Sequence, residues 1–520
     1  MHGRVKTRTT EEQKELQRIE KQKKVKLYLE GMNKAFEKRN KRELDDEALA
    51  ICENLLVHNP DILTLWNFRK EILLEFKNSA STNPEIDLEK LVSKELYLTE
   101  VCLKVNPKSY CAWHQRCWTL DNIAPKPDWD RELLVCTKYL ELDERNFHTW
   151  DYRKFVVGRA GVSAKSELEY TTSKINKNFS NYSSWHYRSQ YLPLVHPDAT
   201  GERPIDRDIH IKELTLVESA AFTDPNDQSG WFYQRWLLDL QQQLPLVLTQ
   251  ACISENFTWV AFNKPVRPND TALSITGSGD GKWKTCNGEV ASHVWTKDTQ
   301  DQSLISYEQS KLSLFVNGEL KSDLELKLVT ESNGQQKMVG FRKPSFINNL
   351  NSALVDFYSS LLESVISLLE LEPDCKWPLL SFVTIARHLR FESSRAEIYE
   401  KLELLKKCDP TRKNYYDDLR SKFLIEDKLS ELEDFTGVFD VSCMELTALY
   451  HTQYLSLFRE VNLSKNKLGK IQRQCLGNLC NLQACEVLNI NDNNLEVTKV
   501  PKLPNLVTLV DSKCLAGQEV

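Results

Sequence analysis

No stretch of this 520-residue sequence approaches the roughly 20 consecutive apolar residues that a membrane-spanning helix requires. The opening "MHGRVKTRTTEEQKELQRIEKQKKVK" is too charged for a secretory leader, so the expectation is a cytoplasmic chain with no transmembrane segment. Disulfide and zinc spacings are missing too. Of the 14 cysteines, Cys475, Cys480 and Cys485 stand five apart, and no histidine or fourth cysteine completes a zinc-binding set. The cysteines read as reduced thiols buried as small hydrophobes, and no metal site is expected in this chain. Nothing resembles a nucleic-acid module, so no nucleic-acid partner is expected.

At this length one hydrophobic core is insufficient, and more than one domain is expected. The net charge of −6 is unevenly spread. Residues 1–42 carry 14 Lys/Arg against 6 Asp/Glu, a surplus of eight that leaves −14 on the remainder. This basic first helix, with "TEEQ" at Thr10 as a capping box, is either a solvated face or a docking arm.

A module recurs. Asn59-Pro60 leads to Trp66 and Arg69, Asn106-Pro107 to Trp113 and Arg116, Asp143 to Trp150 and Arg153, and Asn178 to Trp185 and Arg188. A fifth copy runs from Asp224-Pro225 to Trp231, with Arg235 four residues later instead of three. Successive tryptophans are 47, 37, 35 and 46 residues apart, the length of a helical hairpin repeat. Asn/Asp-Pro reads as an N-cap with proline at the first helical position. Trp and Arg three apart share a helix face, the indole filling the groove between hairpins and the guanidinium packing or pairing beside it. Amphipathic partner helices such as "DLEKLVSKELYLTEVCLKV", with Leu88, Val92, Leu96 and Leu103 near one stripe, alternate with these. The expected fold is mainly α: a solenoid of α–α hairpins.

Three changes of texture follow. From 244 to 347 the helical period gives way to short β-branched runs, with Asn317-Gly318 as a hairpin signal, and an inserted immunoglobulin-like β-sandwich is expected. Helices resume near Asn348, where Trp377 follows Pro373, and Asp409-Pro410 leads to Tyr416 and Arg420. From 441 to 520, "YLSLFREVNLSKNKL" and "NLQACEVLNINDNNL" fit a leucine-rich template with Asn466 and Asn493 27 residues apart. A third copy, "LPNLVTLVDSKCL", lacks the asparagine, so this segment either leans on the helical body or is a shortened form. The expected domains are therefore 1–243 helical, 244–347 sandwich, 348–440 helical and 441–520 leucine-rich.

Repeats of this form, Asn/Asp-Pro-x5-Trp-x2-Arg, resemble those of protein prenyltransferase alpha subunits. "NPKSYCAWHQRCW", "DERNFHTWDYRKF", "NFSNYSSWHYRS" and "DPNDQSGWFYQRWLL" look most like the branch that geranylgeranylates Rab GTPases, as do the added sandwich and leucine-rich segments. The resemblance implies an alpha chain wrapped around a beta subunit that holds the catalytic zinc and most of the isoprenoid pocket. The donor would be geranylgeranyl diphosphate, and the acceptors the C-terminal cysteines of Rab GTPases delivered by Rab escort protein. It also implies that Lys108 reaches the diphosphate, that Tyr110 lines the same edge, and that His148 faces the diphosphate and isoprenoid mouth. A histidine at a helix start is equally a cap or packing residue. His2, at the tip of the basic arm, is a candidate for the zinc's open position. The competing reading is a non-catalytic helical-repeat scaffold.

Overall fold

The computed structural model describes residues 11–201, 203–240, 245–254, 257–268, 273–276, 282–298, 311–331, 334–346, 352–389, 394–471, 477–493, 495 and 500–511. His2, Thr10, Asn348 and Cys475 lie outside the described residues. The chain divides into two compact units, Met1–Val195 and His196–Val520.

The first unit is helical: α1 (Glu11–Lys41), α2 (Asp46–Leu56), α3 (Leu63–Ser79), α4 (Leu88–Val105), α5 (Tyr110–Asn122), α6 (Trp129–Leu142), α7 (Phe147–Ala160), α8 (Ala164–Lys177) and α9 (Tyr182–Val195). The helices start where side chains meet orphan N–H groups: Asp45 accepts from Ala48, Asp87 from Lys90, Asp128 from Arg131 and Ser163 from Ser166. Gly161 ends α7 with φ 67°, the left-handed conformation that costs glycine least.

The repeated Asn/Asp does something other than the N-capping its sequence context suggests. Asn106, Asp143 and Asn178 are C-caps of α4, α6 and α8. Each then forms an Asx turn, its Oδ1 accepting from the N–H two residues on: Lys108 at 3.1 Å, Arg145 at 3.1 Å and Ser180 at 3.0 Å. The next helix starts three to four residues later, on a second polar residue. Ser109 accepts from Ala112, Asn146 from His148, and Asn181 from Ser183. A short polar side chain at the end of one helix can reach its own turn before any helical N–H, so the turn takes it.

The interval to tryptophan has an equally local cause. The indole N–H of Trp66 donates to the Pro60 carbonyl at 2.8 Å, Trp113 to Pro107 at 2.9 Å, Trp150 to Glu144 at 2.9 Å and Trp185 to Phe179 at 2.7 Å, always six residues back. Three of those carbonyls also accept from the capping residue of the following repeat: Pro60 from Ser109 Oγ, Pro107 from Asn146 Nδ2 and Glu144 from Asn181 Nδ2. One oxygen thus ties a helix to its own turn and to the next hairpin. Trp113→Phe is expected to cost about 1 kcal/mol, read by urea unfolding, because Asn146 still satisfies the Pro107 carbonyl.

The arginines pair across repeats. Arg69 Nε meets both oxygens of Glu95 at 3.1 and 3.2 Å, Arg116 grips Glu132 at 2.7 and 2.8 Å, and Arg153 grips Glu167 at 2.8 and 2.5 Å. All six side chains are buried. Each glutamate also accepts from a residue in its own hairpin: Glu95 from Gln115, Glu132 from Tyr152 and Glu167 from Tyr187. Arg188 donates to Thr172 Oγ1 at 2.9 Å and Thr171 Oγ1 at 3.2 Å.

In the second unit, α10 (Arg207–Thr223) and α11 (Gln228–Asp239) repeat the pattern: Trp231 donates to Pro225 at 3.0 Å and Tyr233 to Glu213 at 2.7 Å. The position three after Trp231 is Gln234, which accepts from Ser381 at 2.8 Å. Arg235, one step further round the helix, is only partly buried and donates to the Tyr415 hydroxyl at 2.5 Å. Strands β1 (Leu248–Ile253), β2 (Phe257–Val266), β3 (Leu273–Thr276), β4 (Lys284–Thr285), β5 (Ser292–Asp298), β6 (Lys311–Val316), β7 (Glu319–Glu325), β8 (Lys327–Thr330) and β9 (Gln336–Phe341) follow. They form a six-stranded sheet, β4-β5-β2-β1-β9-β8, and a three-stranded one, β3-β6-β7. Leu248, Phe262, Trp295, Leu312, Leu314 and Leu324 share one core.

Helices α12 (Ser352–Leu371), α13 (Lys376–Leu389), α14 (Arg395–Cys408) and α15 (Lys413–Glu431) come next, and Trp377 of α13 packs with Ala221 and Trp231. By length and composition α12 passes as a membrane span, contrary to the sequence expectation, yet Leu354, Tyr358, Leu361, Leu362, Val365 and Leu369 are buried within the protein. Its acidic Asp356, Glu363 and Glu370 interrupt the apolar run. The C-terminal strands β10 (Val438–Asp440), β11 (Glu460–Asn462), β12 (Val487–Asn489) and β13 (Thr508–Val510) pair in parallel in that order. Buried Asn466 donates to the carbonyls of Val441 and Leu463 and accepts from the N–H groups of Met444 and Leu446. Asn493 does likewise with Leu463, Ile490 and Leu468. Backbone that curves away from a strand has no ladder partner, and these amides supply one.

Candidate functional site

The Asx turns of the first unit are laced to one another. Asp61 accepts from Asn106 Nδ2 at 2.8 Å and Ser109 Oγ at 2.6 Å, and Arg145 donates to the Ser180 carbonyl at 3.0 Å. Asn178 donates to the Glu144 carboxylate. The lacing gathers the N-terminal ends of α5, α7 and α9 along one edge. Unpaired helical N–H groups make such ends electropositive. The first residue of each helix stands exposed there: Leu63 on α3, Tyr110 on α5, Phe147 on α7 and Tyr182 on α9. An exposed apolar row beside aligned helix N-termini suits a ligand or partner that is both greasy and anionic.

Lys108, Tyr110 and His148 meet on this edge. Lys108 lies in the turn before α5, its side chain 62% exposed and its Nζ 3.7 Å from Asp143 Oδ2. A pair so open to water leaves the ammonium available to another anion. Tyr110, 68% exposed, stands edge-on to the His148 ring, centroids 4.3 Å apart at 88°. Phe147 lies tilted against the same imidazole, centroids 3.9 Å apart, and also contacts Tyr110 at 6.1 Å. Burial pushes His148 below its ordinary value; Lys108 adds to this, and Asp151 and Asp61 oppose it. The ring is therefore neutral at physiological pH, a hydrogen-bonding group without charge of its own.

The repeat residues Trp66, Arg69, Trp113, Arg116, Trp150, Arg153, Trp185 and Arg188 are all buried, so they position this edge from behind. Trp231 is buried in the second unit. Sequence reasoning missed the acids that complete the framework. Glu95, Glu132, Glu167 and Glu213 each precede their tryptophan by eighteen residues, a period as regular as the Trp–Arg spacing. It also missed the second cap residue, Asn146, and the aromatic cover, Phe147. Among the described residues no group of three or more His, Cys, Asp or Glu is arranged to hold a metal ion.

Four segments, residues 92–123, 129–160, 164–194 and 211–241, match the protein prenyltransferase alpha subunit repeat. Each match begins in the helix before the Asx turn and ends in or just beyond the tryptophan helix, so the turn is the interior of the repeat. The chain is 39% identical to the geranylgeranyl transferase type-2 subunit alpha of Sus scrofa, over 97% of this chain and 90% of that protein. It is 39% identical to that of Homo sapiens, over 98% and 91%. The Saccharomyces cerevisiae protein of the same name is 36% identical over 46% of this chain and 72% of its own length. A solved chain titled "Candida albicans protein geranylgeranyltransferase-I complexed with GGPP" aligns with a TM-score of 0.43 at 16% identity, covering 77% of this chain and 90% of that one.

Proposed function

This chain belongs to the alpha subunits of type-2 geranylgeranyl transferases within the protein prenyltransferases, and from that premise we propose how it works. It pairs with a beta subunit to transfer geranylgeranyl from geranylgeranyl diphosphate to C-terminal cysteines of Rab GTPases presented by Rab escort protein, in the cytoplasm. The observation that carries this reading is the exposed Lys108 on an edge of aligned helix N-termini, beside Tyr110 and neutral His148. The catalytic zinc would lie on the beta subunit and activate the acceptor thiol there.

When a thiolate attacks C1 of the isoprenoid, the C1–O bond breaks and negative charge grows on the departing diphosphate. Cations already in place lower that barrier, since they need no reorganisation as charge develops. Lys108 supplies a compact charge on a long stem, and the α5 and α7 N-termini add partial positive charge. His148 donates a hydrogen bond to the same oxygens as a neutral imidazole, while Tyr110 and Phe147 shield the edge from water. Behind them the buried arginine–glutamate pairs tie helix to helix.

For the rest of the chain we propose the division read from sequence: 1–243 and 348–440 helical, 244–347 an immunoglobulin-like sandwich, and 441–520 leucine-rich. Two antiparallel sheets around a common core support the first assignment, and the Asn466 and Asn493 amides at equivalent turns support the second. The test is reconstitution: this chain co-expressed with a type-2 beta subunit and supplied with zinc, geranylgeranyl diphosphate, escort protein and a Rab. Mass spectrometry then counts prenyl groups. Transfer that requires both chains is expected. A stable heterodimer without transfer would instead favour the scaffold reading.

A further inference from the structure

Cys286 and Cys480 are 194 residues apart in sequence, yet their Sγ atoms lie 3.5 Å from each other. Cys286 sits just after β4, in the turn that leads to β5, and Cys480 follows the short helical turn at 477–479 before β12. The contact therefore joins the six-stranded antiparallel sheet to the C-terminal parallel sheet within the second unit. Their surroundings hold them in place. The Cys286 thiol faces Asn481 Oδ1 at 3.3 Å and Ser292 Oγ at 3.5 Å, and Asn481 Nδ2 is anchored on Thr452 Oγ1 at 2.9 Å. Beside them Cys252, Trp259 and Val339 pack on Leu457, and Gln250 Nε2 donates to the Tyr454 carbonyl at 2.7 Å. A disulfide needs about 2.0 Å between sulfurs, a closure that side-chain rotation supplies when the backbones are already docked.

We propose that Cys286 and Cys480 are a reversible disulfide site, oxidised by a peroxide, that staples the antiparallel sheets to the C-terminal parallel sheet. The two thiols divide the work. Cys286 is partly exposed, and its hydrogen bond with Cys480 lowers its thiol below the usual value, against burial. Cys480 is only 6% exposed; the same contact and its burial keep it protonated. Burial pushes most of the other thiols up, among them Cys52 to about 11 and Cys117, Cys136 and Cys485 to about 12, so they are poor nucleophiles.

The Cys286 thiolate attacks one peroxide oxygen, the O–O bond breaks, and hydroxide leaves and is protonated to water. Cys286 is then a sulfenic acid. The Cys480 sulfur, giving up its proton, attacks the Cys286 sulfur; the S–S bond forms, the S–O bond breaks, and a second water departs. Two thiols have lost two electrons and the peroxide has become two waters. A small-molecule thiol reverses the bond by exchange.

The test uses the full-length chain treated with hydrogen peroxide, alkylated, digested without reductant and mapped by mass spectrometry. A linked peptide pair containing Cys286 and Cys480, two hydrogens lighter than its halves and lost on adding dithiothreitol, is expected. In Cys480→Ser, Cys286 is expected to remain a sulfenic acid captured by a dimedone-type probe. Both cysteines still alkylated after peroxide would overturn the proposal, as would Cys286 oxidised beyond sulfenic acid while Cys480 stays free. Hydrogen exchange at β5 and β12 is expected to slow several-fold on oxidation and recover on reduction; a linked pair with unchanged exchange would sink the stapling role.

Discussion

Glu132→Ala is expected to destabilise the chain by about 3–5 kcal/mol, the usual cost of leaving one member of a buried ion pair alone. Arg116 is fully buried. Its Nε and Nη2 meet Glu132 at 2.7 and 2.8 Å, its Nη1 meets the Leu96 carbonyl and Thr99 Oγ1 at 2.9 Å each, and Nη2 also reaches Glu100 at 3.2 Å. The Tyr152 hydroxyl donates to Glu132 at 2.5 Å. Removing the carboxylate leaves a buried guanidinium that cannot shed its proton with the more distant Glu100 as its carboxylate partner, and it takes the acceptor from the Tyr152 hydroxyl. Urea unfolding of the full-length chain measures the loss. Removing Arg116 together with Glu132 is expected to recover only part of it, because the Leu96 and Thr99 acceptors also lose their donor. Asp143→Asn, which removes the partner of exposed Lys108, is expected to change stability by less than about 1 kcal/mol. Equal losses at the buried and exposed pairs would refute the cross-repeat glutamates as the framework.

Lys108→Ala is expected to lower the rate of geranylgeranyl transfer by roughly ten- to a hundredfold, the worth of one charge-assisted hydrogen bond to the leaving diphosphate. The same substitution is expected to leave folding untouched, since the side chain is 62% exposed and its ion pair with Asp143 is a loose contact at 3.7 Å. Lys108→Arg keeps the charge but spreads it over a planar fork, and partial activity is expected. Single-turnover kinetics separate this from weaker donor binding: a group that acts as charge develops lowers the chemical rate more than the affinity. An unchanged rate with intact assembly would remove Lys108 from the reaction and return this edge to a docking role.

The tryptophan period was legible because the interval from Asx turn to indole is a purely local bond, six residues long, repeated without regard to what surrounds it. Asn317-Gly318 was legible for the same reason. Both residues take positive φ, 52° and 79°, as a two-residue hairpin turn between β6 and β7 demands. The proline in three of the five motifs suggested helix starts, and there local reasoning failed. Asn106 ends α4, and the start of α5 belongs to Ser109, whose hydroxyl also reaches the preceding repeat at Asp61. That second contact spans 48 residues, so no window around the cap reveals it.

The sequence by itself determined the repeat, the places where it breaks into strands, and the resemblance that singles out Lys108, Tyr110 and His148. The repeat and the strand breaks rest on interactions within a turn, a helix or a hairpin, which neighbouring residues specify, while the resemblance rests on the motif residues alone. Only the tertiary structure decided which arginine pairs with which glutamate, that Tyr110 packs edge-on to the His148 ring, and that Cys286 lies against Cys480. Those contacts join residues brought together by packing, and whether a charge, a ring or a thiol is buried, neutral or reactive depends on the partners that packing supplies.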